Sequence, residues 1–150
     1  MMAKKYPKRR LLVVDHFVNN SDLGKLILRL LVGILLLFHG IYKLQHGYGF
    51  VEQMLVKAGF PGYFSHLVLV GELLAPFFMI LGLYTRQAAL IQVFVMLMAI
   101  FLVHTREFFS VSLHGGYALE LQAFYLFGAL AVFFLGAGRY NLARGIGPWD

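Results

Sequence analysis

Four long apolar stretches, at residues 23–44, 64–84, 86–104 and 117–136, take up more than half of this 150-residue chain. A helix needs about 20 predominantly apolar residues to cross the hydrocarbon core of a bilayer. Four such stretches leave too little polar sequence to cover them in water. Composition agrees: 60% of residues are hydrophobic and 13% charged, against roughly 25% charged in soluble domains. The expected fold class is an all-α membrane protein, a four-helix transmembrane bundle. Its membrane domain covers residues 23–150, and a basic juxtamembrane segment, residues 1–22, precedes it. The strictly apolar part of the third stretch, residues 88–103, reaches only ~24 Å at 1.5 Å per residue, so Arg86 and His104 are expected at its two interfaces.

The 13 basic residues outnumber the 7 acidic ones, but the excess is local. Lys4, Lys5, Lys8, Arg9 and Arg10 lie in the first ten residues, whereas the chain between Leu30 and Gly138 holds four basic and four acidic side chains. A nucleic-acid partner would call for basic residues spread over a folded face, and a disordered chain would lack this much apolar material. With 0 cysteines, the chain has no disulfide framework, thiolate zinc site, iron–sulfur cluster or redox-active thiol pair.

The start resembles the positive region of a signal peptide. Its apolar run, residues 11–14, stops at Asp15 and His16, too early to form a signal core. Residues 8–19 read instead as a segment lying on the membrane surface, with Leu11, Leu12, Phe17 and Val18 dipping inward. Ser21 and Asp22 are expected to cap the first span. Between the first two spans, Phe50, Val51, Met54, Leu55 and Ala58 recur at helical spacing before Gly59 and Pro61, which predicts a short interfacial helix. Residues 83–87 fit only a tight turn between spans, and 106–116 form a polar connection.

Four spans put Lys25, Arg86, Arg139, Arg144 and the N-terminal cluster on one side, and Lys43, Lys57 and Arg106 on the other. The positive-inside rule then makes both termini cytoplasmic.

Ionisable groups at the centre of a span cost ~2.5 to 3.5 kcal/mol each on insertion scales, so each one found there asks for a partner or a cavity. Arg29, His39, Lys43, Glu72, Gln92, His104, Glu120 and Gln122 are the span residues that raise this demand. His39, Lys43, Glu72, His104 and Glu120 all fall in the outer halves, at depths of about 4 to 13 Å from the span centres. Arg29, Gly33, Leu36, Gly40 and Lys43 share one stripe of the first span, where the glycines permit close approach.

Pro76 cannot donate to the carbonyl of Glu72, so carboxylate and carbonyl of that residue demand donors together. Lys43 and His39 are the expected donors, shared with Glu120. On the last span, Tyr117, Glu120, Ala123, Phe124, Phe127 and Ala131 are read as one inward face. Gln122 lies about 160° round the wheel and is expected to contact a neighbouring subunit or an interfacial group.

A structural ion pair between Lys43 and Glu72 accounts for part of this pattern. His39, His104, Glu72 and Glu120 have the composition of a zinc or iron site without a recognised ligand spacing, and no metal site is assigned to them. His39, Lys43, Glu72, His104 and Glu120 together also suit a quinone head group, whose carbonyls want Lys or His donors and whose ring wants an apolar slot.

The segment His39-Gly40-Ile41-Tyr42-Lys43-Leu44 resembles the HGxxKL element of the DoxX family of small four-span bacterial membrane proteins. Gly59-Phe60-Pro61, Glu72 and Leu81-Gly82-Leu83-Tyr84-Thr85-Arg86 are similar to the elements that follow in that family. So are residues 96–104, Gly115-Gly116-Tyr117 with Glu120, and Gly136-Ala137-Gly138-Arg139-Tyr140. Asn141-Leu142-Ala143 departs from the family's Ser-Leu-Asp.

The resemblance implies a bundle in the bacterial cytoplasmic membrane and, from some relatives, a subunit of a quinone-linked or oxidative-stress complex. The expected function is therefore an anchor or assembly subunit of a redox complex, with the lipid bilayer and a redox protein as partners and a homo-oligomer as a further option. Two alternatives stay open: a stand-alone membrane oxidoreductase or cofactor protein using quinone or metal, and a small-solute transporter.

Overall fold

The computed structural model describes residues 18–143. Lys4, Lys5, Lys8, Arg9, Arg10, Leu11, Leu12, Phe17 and Arg144 lie outside the described residues. Those described are helical without a strand, with an isolated bridge from Val111 to Tyr117 in one loop.

Helix α1, Ser21–His46, starts at Asn20, whose side-chain oxygen accepts from the Leu23 N–H at 3.1 Å. The cap is therefore one residue earlier than the sequence suggests. Asp22 instead accepts from Lys25 at 3.1 Å. The 26 residues of α1 extend ~39 Å, longer than the ~30 Å hydrocarbon core. Helix α2, Gly49–Lys57, is the short helix between spans.

Helix α3, Gly62–Leu81, changes character along its length: it enters as a 3-10 turn, Gly62–His66, widens into a π turn over Val70–Leu74, and continues as α-helix over Ala75–Leu81. Gly82, at φ +73°, ends it. Helix α4, Thr85–Val103, follows at once, and α5, Glu120–Leu135, closes the bundle. Among the described residues α1, α3 and α4 are long and apolar enough to cross a membrane, and α5 is apolar but shorter, at 16 residues.

α5 packs along α4, and α1 lies against α3 and α5. Val32, Leu36, Met79, Ala89, Ala129 and Val132 form the core. The outer surface inverts the order of a soluble protein. Phe38, Phe94, Phe101, Phe127 and Phe134 face outward, while Arg29, Ser65, Glu72, Thr85 and Gln92 are buried. Only an apolar solvent makes that arrangement favourable, and lipid is such a solvent.

Burying apolar surface brings little in lipid, so helices must gain from close packing. The position a β-carbon would take on Gly40 is filled by the backbone carbonyl of Glu72. That is the carbonyl Pro76 leaves without its α-helical donor. One turn of π-helix and a glycine on the facing helix accommodate the break together. Beside it, the buried Gln92 amide donates to the Gly71 carbonyl. The stripe read on α1 is the buried one: Arg29, Gly33, Leu36 and Gly40 are all inside.

On α5 the sequence reading needs correction. Tyr125, Ala129 and Val132 are buried, whereas Tyr117, Glu120, Phe124 and Phe127 are exposed. The small residues Gly128 and Ala129 sit where α1 comes close, and the phenylalanines turn outward.

At the end of the bundle where α5 finishes, Arg29 donates through Nη1 to the Ala137 carbonyl (3.0 Å) and through Nη2 to the Tyr140 carbonyl (2.6 Å). Arg86 Nη1 donates to the carbonyls of Phe133 (2.8 Å) and Phe134 (3.2 Å), satisfying the end of α5, where helix carbonyls lack partners. The segment after α5 thus folds back across the end of the bundle.

Gly40→Ala should lower stability in detergent by about 1–3 kcal/mol, the cost of forcing a methyl group into packed backbone. Gly24→Ala, which meets nothing within 4 Å, should not; equal melting temperatures would contradict the close approach. Arg86→Ala should cost ~1 kcal/mol through the lost helix-end contacts, read in the same thermal assay.

Candidate functional site: a polar cavity among four helices

At the end of the bundle where α1 and α4 finish, α1, α3, α4 and α5 part around a cavity of about 170 Å³. Its polar lining is His39, Lys43, Glu72, His104 and Gln122, with Tyr125; Leu36, Met96, Ala99 and Leu121 form the apolar wall. The HGxxKL element of α1 supplies His39 and Lys43 one turn apart. The π turn of α3 supplies Glu72, the end of α4 supplies His104, and the first two turns of α5 supply Gln122 and Tyr125.

Lys43 Nζ donates to Glu72 Oε1 at 2.5 Å. The Glu72 side chain is 8% exposed and that of Lys43 29%, so the carboxylate is enclosed while the ammonium borders the opening. The second oxygen, Glu72 Oε2, is buried with no protein donor. A lysine ammonium has three N–H groups, and the ion pair uses one of them.

His39 bonds through Nδ1 to the Leu35 carbonyl at 3.0 Å, and its ring meets the edge of Tyr125 at a centroid distance of 5.8 Å. A carbonyl can only accept, so Nδ1 carries the proton and a neutral ring presents Nε2 as an acceptor. His104 lies between two partners: Nδ1 contacts Glu107 Oε2 at 2.9 Å, and Nε2 contacts the Gln122 amide nitrogen at 3.1 Å. In the neutral ring, Nδ1–H donates to the carboxylate and Nε2 accepts from the amide.

Of the five residues singled out from the sequence, the cavity contains His39, Lys43, Glu72 and His104, and Glu120 is not among its lining. Glu120 is exposed at the start of α5, folded over Gly116. Gln122, expected to face a neighbour, lines the cavity because α5 is turned to bury residues 125, 129 and 132. Tyr125 is the residue the sequence reading missed. Its spacing of three from Gln122 and four from the small Ala129 was the available signal.

The metal alternative gains no geometry. Among the described residues no three His, Asp or Glu side chains converge as ligands.

The cavity is small and combines hydrogen-bonding groups with an apolar wall. At about 170 Å³ it is below the roughly 300–1,000 Å³ of pockets for drug-sized ligands. It offers donors at Lys43 and acceptors at Glu72 Oε2 and His39 Nε2, set in an apolar wall.

Glu72→Ala should cost about 1–3 kcal/mol by leaving Lys43 without its buried acceptor, whereas Glu107→Ala, removing an exposed partner, should stay within about 1 kcal/mol. Thermal melts in detergent separate the two, and equal losses would mean Glu72 holds nothing in place.

A family model described as DoxX matches residues 24–105, a span that includes His39, Lys43, Glu72 and His104 and stops before Gln122 and Tyr125. No curated protein and no solved structure matches the chain.

Proposed function

The chain belongs to the DoxX family, and from that premise we propose that it is an integral membrane subunit of a redox-linked complex whose outer cavity receives a quinone head group. In this reading α5 is a fourth crossing, which places both termini on the cytoplasmic side of the bacterial inner membrane. Lys25, Arg29, Arg86 and Arg139 then lie toward the inside, with Lys43, Lys57 and Arg106 toward the outside.

The observation that carries the proposal is the coexistence of unused donors on Lys43 with an orphaned acceptor on Glu72 in a cavity of single-ring size. A quinone, when bound, supplies two-electron chemistry coupled to protons. The residues present suit both of its forms. The N–H groups of Lys43 would hold a carbonyl oxygen, and Glu72 Oε2 or His39 Nε2 would accept from the hydroxyl of the reduced ring. Leu36, Met96 and Leu121 would cover its faces.

The transporter reading is disfavoured by what lies inward of the cavity. Val32, Met79, Ala89 and Ala129 are fully buried there, and the buried polar side chains in that direction are few, Gln92 and Thr85 before Arg29.

The full chain, extracted in mild detergent, should bring down a redox protein. A short-chain benzoquinone should give a saturable difference spectrum that weakens at least tenfold in Lys43→Met. A chain that purifies alone and gives no quinone spectrum would overturn the proposal.

A further inference from the structure

The opposite end of the bundle holds a second recess that the outer cavity does not explain. It is a shallow, open recess of about 500 Å³, and its described lining contains Arg29, Arg139, Tyr140 and Asn141 with the apolar side chains Ile80, Leu81 and Leu142, and no carboxylate. Arg29 is 2% exposed, deep for a guanidinium. Its two contacts, to the Ala137 and Tyr140 carbonyls, use two of five N–H groups, and its Nε is buried without an acceptor.

Asn141 donates to the Gly138 carbonyl, and its Oδ1 is buried without a donor. Arg139 is exposed. The nearby carboxylate of Asp22 accepts from Lys25 at 3.1 Å and also lies in the field of Arg139. Among the described residues Lys25, Arg29 and Arg139 therefore outweigh it and leave the region net positive.

The placement is as informative as the charge. Ile80 and Leu81 are the last residues of α3 before the turn at Gly82, so the recess lies where a span leaves the hydrocarbon. Apolar side chains on one flank and guanidinium groups on the other match a ligand with an anionic head and an apolar tail. The unused N–H groups of Arg29 and the exposed guanidinium of Arg139 suit phosphate oxygens. The orphaned Asn141 oxygen suits a hydroxyl donor next to that phosphate.

We propose that this recess binds a glycerophosphate anion, as carried by the head group of an acidic phospholipid. A bound head group would tie α1, the end of α3 and the segment after α5 together through one phosphate. Basic pockets between spans at the cytoplasmic face are where anionic lipids are bound in other membrane proteins.

The test uses the full chain in neutral detergent, titrated with short-chain phosphatidylglycerol and, separately, phosphatidylcholine, and read by native mass spectrometry and thermal melting. Phosphatidylglycerol should bind with clear preference. Arg139→Gln should reduce that preference about fivefold, the contribution of one surface arginine to an anionic lipid, while Arg106→Gln at the opposite end should leave it intact. Glycerol 3-phosphate is the third arm: competition by it would show that the soluble anion suffices, and failure to compete would assign the site to the lipid, both upholding an anion site. Equal binding of the two lipids, or an Arg139→Gln protein with unchanged preference, would overturn the proposal.

Discussion

The meeting of α1 and α3 at Gly40 and Glu72 is the contact on which the rest of the bundle depends. Pro76 withholds an N–H from the Glu72 carbonyl, the helix widens by a π turn, and the bare backbone of Gly40 fits against the exposed oxygen. That approach places Lys43, one turn farther along α1, beside the Glu72 carboxylate. In lipid an unsatisfied carbonyl costs several kcal/mol, so a broken helix needs another element brought close. Glu72, within the π turn, also lines the cavity.

Polar groups close the bundle at both ends, in different ways. At the end where α5 finishes, Arg29 and Arg86 donate to carbonyls at or just beyond the end of α5 and so fasten its last segment. At the opposite end the polar groups are gathered around a space, and one carboxylate oxygen remains without a donor. The first set of contacts binds protein to protein; the second leaves hydrogen-bonding capacity over, which is why the quinone is proposed there.

Much of α1 could be read in advance. Glycines and cations at helical spacing, separated from lipid-facing leucines, leave little choice of which side goes inward. Glu72 was also legible, because proline chemistry singles out the residue four positions earlier. α5 was not. It is apolar nearly all round, so hydrophobic pattern does not say which side is buried, and Glu120 drew attention by its charge while Gln122 and Tyr125 held the inward positions. Small residues, Gly128 and Ala129, were the better guide, since in a membrane the inward side is where backbones come close. The N-cap is Asn20, one residue before the expected Ser21, and the Asp22 carboxylate accepts from Lys25 instead.

From the sequence alone come the lipid environment, the approximate extents of the apolar helices and the intramembrane residues that need partners. Each follows from local quantities: transfer free energy, helical rise and the missing proline N–H. Tertiary structure alone decided the rotation of α5 about its axis, the exclusion of Glu120 from the cavity, the inclusion of Gln122 and Tyr125, and the use of Arg29 to hold the chain beyond α5. These depend on which surfaces fit at van der Waals distance between segments far apart in the chain, and no local pattern carries that information.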